Sequence, residues 1–453
     1  MKIGYSDIIF EMSHKLCQAL LEREPDIAQK VHELNGEVNK ILRQVGFFVV
    51  SLVLAELSNQ VTLEAKATGL AIHRAKRIKY SSLFGVVEIL SPYLWNKNTG
   101  CSARPVKEQL RIEHGDRSVA VQRALVDFGA EESLGQAAKR FREHYGWSID
   151  RAIVRREVEK TALWAEQYVE TRLCEAGWDY IQPLATRPGM EQMLVELDGN
   201  HVRTGKKVAL AGAELTKKRR LPKCQRSPDW REVRVGFARP LGQQKDKRTF
   251  VAQMSQYPEV VWRLERAAYM QGMSTRTEII AVADGGKGLR EMLEKQFPRL
   301  TFILDRPHLK QHLYAGAEAI GLTGFERHNW VSDKLQLIDR GQVRRVISTL
   351  KRYRGKGQQR ITNLDEYLER FSDAVDYDRF RAQGFPIGSG EVESAHRYIP
   401  QKRLKIPGAT WHPDTVNPML ALRIIRANGW WEDFWTKQSA SHEKLDTRKS
   451  PFV

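Results

Sequence analysis

The sequence predicts an α/β chain whose N-terminal part is mainly helical, and three observations carry that prediction. Residues 5 to 45 place Ile8, Ile9, Met12, Leu16, Leu20 and Leu21 at helical spacing. From about 190 onward, short apolar runs alternate with helical patterns, as in a mixed α/β domain. Three of those runs end on an acid: "EQMLVELDG" at Asp198, "TEIIAVADGG" at Asp284 and "RLTFILDRPH" at Asp305.

Composition narrows the class. A chain of 453 residues exceeds one ordinary core and implies several domains. With 42% hydrophobic and 28% charged residues, it is a folded chain and not a disordered one. Lys and Arg number 73 against 55 Asp and Glu, a net +18 that favours a polyanionic partner, nucleic acid being the usual one. The longest apolar run, "GFFVVSLVLAEL" (46–57), is too short to cross a bilayer, and the opening residues turn polar and acidic too soon for a signal peptide. The expectation is a cytoplasmic protein with no membrane partner. Cys17, Cys101, Cys174 and Cys224 are far apart and form no Cys-x-x-Cys pair, so neither a disulfide framework nor a cysteine zinc site is expected.

In chain order, residues 1–120 read as a helical region with a small hairpin, because "RIKYSSLFGVVEILSPYLW" alternates and is rich in β-branched and aromatic residues. Residues 121–188 contain a candidate helix-turn-helix. Leu134, Ala138, Phe141 and Tyr145 stripe a first helix, Gly146 breaks it, and Ser148 caps a second with Ile149, Ala152 and Ile153 inward. Arg151, Arg155 and Arg156 then face outward, where a DNA groove would meet them.

Residues 189–309 give the element order β-β-β-α-β-α-β, that of a ribonuclease-H-like core. A helical insertion fills 310–386, the core resumes over 387–436, and the charged tail 437–453 reads as disordered. If the first and fourth strands lie parallel and adjacent, Asp198 and Asp284 meet at one end of the sheet, where parallel sheets place their sites. Two carboxylates there repel unless a cation lies between them, and Mg²⁺ is the natural choice, with a third carboxylate completing a two-metal site. "GSGEVESAH" (388–396) opens the next helix after the insertion and offers Glu391 and Glu393. Ser389 followed by acids is also an ordinary helix start.

As an ordered set, "LDGNHV", "VADGGKGL", "LDRPHLKQHL", "IGSGEVESAHRYIPQKRLKIPGATW" and "MLALRIIRANGWWEDFW" resemble the DDE transposases of insertion sequences, in particular the ISKra4 type and its Mutator-like relatives. The resemblance covers most of 190–435. It implies Asp198, Asp284 and Glu393 as catalytic, metal-binding triad, since the family pattern Gly-Ser-Gly-x-Val-Glu puts Glu391 at the variable position. It also implies Mg²⁺ or substituting Mn²⁺ as cofactor, and at least a dimer on paired DNA ends. Asp305 and His308 match an accessory Asp-x-x-His pair; His308 either orients the site or contacts DNA, or the pair simply caps the following helix. Relatives often carry a zinc segment before the helix-turn-helix; only Cys101 remains here, and no zinc is expected.

Nine Lys and Arg between 203 and 230 suggest a phosphate-binding arm. Lys402, Arg403 and Lys405 follow the Glu393 helix and would hold the DNA backbone, with Trp411 stacking on an unpaired base. Trp430, Trp431 and Trp435 read as core beside Leu420, Leu422 and Ile425. The expected function is a transposase that binds its element's ends and cuts and joins double-stranded DNA. A DNA-binding repressor derived from one, or a nuclease without strand joining, are the alternatives.

Overall fold

The computed structural model describes residues 5–23, 31–181, 189–209, 224–242 and 247–444. These fall into two units: residues 1–125 with 138–149, and residues 126–137 with 150–453.

In the first unit the stretch expected as one helix is two, α1 (Tyr5–Arg23) and α2 (Leu34–Ala67). The apolar run 46–57 lies inside α2. It is therefore part of a helix long and apolar enough by length and composition to cross a membrane, contrary to the expectation from the run alone; 6% of its apolar window is buried. One side of α2 is nevertheless committed to protein. Val61 joins Ile78, Val87, Ile89 and Val106 in a core, with Phe47, Val50 and Leu54 packed against it. The expected hairpin is present as β1 (Ala71–Ser82) and β2 (Gly85–Trp95), paired antiparallel from Ala71↔Trp95 to Ser82↔Gly85. Burial alternates along β2, so one face meets α2 and the other faces outward. Short β3 (Ser102–Ala103) and β4 (Asp116–Arg117) complete this sheet in the order β3-β2-β1-β4, with α3 (Pro105–Glu108) between them in the chain. Helices α4 (Val119–Glu131) and α5 (Leu134–Tyr145) are each divided between the two units.

The second unit begins with α6 (Arg151–Ile181), 31 residues and far longer than a recognition helix requires. Its cap is Asp150, whose Oδ1 accepts the Ala152 N–H at 2.6 Å, and not Ser148. Its inner stripe is Val154, Val158, Ala162, Ala165, Val169 and Leu173; Ala152 is exposed and Ile149 and Ile153 half-buried. The helical period shifts the buried face because α6 packs along two later helices, which the local pattern does not contain. Arg151, Arg155 and Arg156 are exposed.

A five-stranded sheet follows: β5 (Gln192–Ala209), β6 (Cys224–Pro240), β7 (Thr249–Gln253), β8 (Glu278–Ala283) and β9 (Leu300–Leu304), in the order β7-β6-β5-β8-β9. β5 to β7 form an antiparallel meander, while β8 and β9 run parallel to β5. Helices α7 (Tyr257–Met270) and α8 (Leu289–Gln296) connect β7 to β8 and β8 to β9. Residues 203–209 and 224–230, expected as an arm, extend β5 and β6 as a two-stranded ribbon; 210–223 lie outside the described residues.

Helices α9 (Arg306–Ala319), α10 (Gly324–Asp339), α11 (Val343–Arg352), α12 (Gln358–Arg370) and α13 (Tyr377–Ala382) occupy the expected insertion. Then come α14 (Gly390–His396), a π-helical turn (Arg397–Gln401) and α15 (Lys402–Leu404). Pro400 has no N–H to give to an α-helical ladder, which suits the wider turn. The final helices are α16 (Val416–Ala427) and α17 (Trp431–Lys444). α17 carries helix beyond residue 436, into the segment expected to be disordered; 445–453 lie outside the described residues. Trp430, Trp431 and Trp435 are buried, as are Leu420, Leu422 and Ile425.

Both outer strands of the large sheet are covered. α16 lies along β7, with Asn428 accepting the Phe250 N–H at 2.8 Å and donating to its carbonyl at 3.0 Å. Asn417 accepts the Met254 N–H at 2.8 Å. On the far side, the Leu304 N–H of β9 reaches the Ala374 carbonyl at 3.0 Å.

Candidate active site

The parallel register brings the three strand-end aspartates level. β5 pairs with β8 up to Leu197↔Ala283, and β8 with β9 up to Ala283↔Leu304, so Asp198, Asp284 and Asp305 follow the same rung. Asp198 is not a strand terminus as expected: β5 runs on to Ala209 beside β6, and only its pairing with β8 stops there. Asp198 Oδ1 accepts its neighbour Gly199 N–H at 2.8 Å, and Asp284 Oδ1 accepts Gly286 N–H at 3.0 Å. Each thus spends one oxygen on its own backbone.

Asp305 is fully buried and spends both. Its Oδ2 accepts the His308 backbone N–H at 2.9 Å and lies 2.6 Å from His308 Nδ1, while Oδ1 accepts the Ser389 N–H at 2.8 Å. The helix-capping role is therefore real, and it does more than cap α9: one carboxylate fixes the start of α9 and the residue before α14 together. Burial pushes the Asp305 carboxyl up, but these hydrogen bonds outweigh it and hold the group below its ordinary range. The same contact, above all, raises His308 to about 9, with Asp284 and Asp198 adding to it.

Helix α14 sends its two glutamates to different places. Glu391 meets Arg239 at 3.1 and 2.7 Å and Arg248 at 3.0 Å, in a half-buried structural cluster. Glu393 is exposed and groups with Asp305 and His308, one ligand atom of each lying within 4.8 Å of the others. Among the described residues this is the trio drawn so closely together; the expected triad of Asp198, Asp284 and Glu393 is not. The buried Val392 between the glutamates donates its N–H to Glu196 Oε2 at 2.9 Å, tying α14 to β5. Burial above all pushes Glu196 up to about 8.

Several residues here were not singled out in the sequence. His396, buried at the end of α14, places Nε2 3.3 Å from Asp198 Oδ2 and 3.2 Å from its carbonyl. His312, one turn beyond His308, stacks on Tyr367 with ring centroids 4.4 Å apart. The spacing His308-x-x-x-His312 was the available signal, since it sets both on one helix face. Tyr257 and Tyr367 flank the Asp284 loop: a Cβ on Gly286 would meet Tyr257 Oη at 2.8 Å, and one on Gly285 would run into the Tyr367 ring, 2.6 Å from Cζ.

Of the basic residues expected beside the glutamate, Arg403 is corrected. It is 5% exposed, donates to the Gly129 carbonyl at 2.8 Å, and lies over the Trp411 ring at 4.7 Å. It is buried because a helix carbonyl from a distant segment takes its donor. Trp411 is half-buried, its Nε1 donating to the Leu404 carbonyl at 3.1 Å and its backbone bridging to β5, so one ring face is already covered by Arg403. Lys402 and Lys405 are exposed; Lys402 pairs with Glu131, and Lys405 donates to Asn200, two residues past Asp198.

No protein-family model matches the chain, and no curated protein matches it.

The donor set fits a hard divalent cation. Asp198 and Asp284 each keep an oxygen outside their backbone bonds, and Glu393 is exposed beside Asp305 and His308, whereas the buried Asp305 is consumed by three N–H groups.

Proposed function

We propose that this chain is a DNA transposase of the DDE type, built on a ribonuclease-H-like core, that cuts DNA strands at its element's ends and joins them to a target. The observation that carries the reading is the level row of Asp198, Asp284 and Asp305 at the carboxyl ends of pairing, with Glu393 brought beside it by α14. The strand order β7-β6-β5-β8-β9, with the first three antiparallel, also supports it.

Asp198, Asp284 and Glu393 would hold Mg²⁺ or Mn²⁺, which supplies activation of a water or 3′-hydroxyl and stabilisation of the leaving oxygen. The chain's own residues do the rest. His396 orients Asp198, Asp305 locks α9 and α14 in one register, and His308 sets a positive charge beside the carboxylates, where a phosphodiester needs one. The exposed Arg151, Arg155 and Arg156, with Lys402 and Lys405, serve as backbone contacts to duplex DNA. Two copies would act on paired ends.

The test is cleavage of supercoiled DNA carrying the gene with its native flanks, in Mg²⁺ or Mn²⁺, comparing wild type with Asp284→Asn. Metal-dependent cuts at the flanks, absent in the variant, are expected. Binding without cutting would make the chain a non-catalytic DNA-binding protein. Cuts scattered without regard to the flanks would make it a general nuclease.

A further inference from the structure

Residues 340–360 hold eight Lys and Arg and no Asp or Glu. They span the turn after α10, α11, the turn that follows it and the start of α12. Val343, Val346, Ile347 and Leu350 are buried, which turns the arginines outward. Lys351 pairs with Glu369. Among the described residues no carboxylate pairs with Arg344, Arg352, Lys356 or Arg360, all of them exposed.

Two features separate this edge from an ordinary solvated face. Its backbone is fixed: Gly357 takes φ +75°, a Cβ there would strike the Ala319 carbonyl, and Tyr353 Oη donates to the Lys356 carbonyl at 2.7 Å. The turn is thereby seated on the end of α9 and presents its charges from a set position. It is also continuous with the carboxylates. Arg370 of α12 donates to the Gly285 carbonyl at 2.7 Å, and Tyr367 packs on Gly285 and stacks on His312. α12, which opens with Arg360 in its first turn, packs against α9, the helix that carries His308 and His312.

We propose that α11 and the turn into α12 form a phosphate-binding track for the DNA duplex that enters the carboxylate site. The inference rests on the transposase reading and assigns a role to the helical insertion. Along α11, Arg344 and Arg352 are separated by a rise of about 12 Å. That is also about the width of the major groove, so the two suit phosphates on its opposite edges. No large apolar side chain is exposed within 340–360 among the described residues, so the surface suits a polyanion and lacks the anchors a lipid surface takes.

The experiment uses the full chain carrying Asp284→Asn, to prevent cutting, and a fluorescent duplex of the flank sequence in a salt titration. Adding Arg344→Gln, Arg352→Gln and Arg360→Gln is expected to weaken binding at least about tenfold and to reduce the slope of log K against log salt by about three. Arginine-to-lysine replacement at the same positions is expected to restore most of both. Unchanged affinity and slope in the glutamine variant would overturn the inference while leaving the transposase reading intact. So would a loss that lysine does not restore, or tighter binding of an RNA duplex through the same residues. If the parent binds no duplex at all, the transposase reading and the inference fail together.

Discussion

Glu391 and Glu393 stand two residues apart on a seven-residue helix and do different work. At that spacing a helix points them roughly 160° to 200° apart, and here one side holds Arg239 and Arg248 while the other faces Asp305 and His308. Removing one partner of a largely buried ion pair leaves the other charge uncompensated, at a cost of roughly 3 kcal/mol. Glu391→Gln is therefore expected to lower the melting temperature, and Glu393→Gln to leave it unchanged while abolishing metal-dependent cleavage. Thermal unfolding and the cleavage assay read the two separately. A folded Glu391→Gln protein that does not cut, beside an active Glu393→Gln, would reverse the roles. The sequence made both glutamates visible, and the family resemblance favoured Glu393. It could not display the arginines, which come from β6 and the chain before β7, some 150 residues away. Arg403 misled for a related reason: its local context is a basic loop, and its partner is a carbonyl at Gly129.

At the scale of elements, the loop after β8 shows why glycine follows Asp284. Gly285 lets α12 approach until the Tyr367 ring lies over it, and Tyr367 in turn holds His312. Gly285→Ala forces either the ring or the loop to move, an overpacking cost of about 1–3 kcal/mol. Because the loop carries Asp284, reduced cleavage is expected along with the lower stability. Adding Tyr367→Leu should recover part of the stability; no recovery in that double variant would show that the clash lies elsewhere. The strands around this loop were legible because each is a short apolar run closed by an acid. The inner face of α6 was not, because a 31-residue helix buries whichever stripe its distant neighbours cover. The continuation of β5 past Asp198 escaped for the same kind of reason, as the polar ribbon beyond it is held by pairing with β6 and not by its own pattern.

At the scale of the molecule, residues 126–137 belong to the unit of the large sheet because three arginines near the other end of the chain hold them. Arg403 bonds Gly129, Arg423 bonds Ala130 and Glu131, and Arg426 pairs with Asp127. Burial pushes the Glu131 carboxyl up, but Lys402 and Arg423 outweigh it and set it below its ordinary value of 4.5. A lowered folded-state value means the pair contributes fully above that ordinary value and is lost as acidification passes through the lowered one. The stability gap between wild type and Glu131→Gln is thus expected to stay constant at neutral pH and to narrow below about pH 4.5, read by denaturant unfolding across pH. A gap that widens on acidification would contradict the ion-pair account.

Asn417 and Asn428 sit near the two ends of α16 and answer the backbone of β7 as a neighbouring strand would. An open β-edge invites polymerisation, one chain templating the next into a fibril. Here the sheet is closed to such recruitment by two amide side chains on one side and by the Ala374 carbonyl on the other. Edge-to-edge fusion of this sheet with that of another copy is thereby disfavoured.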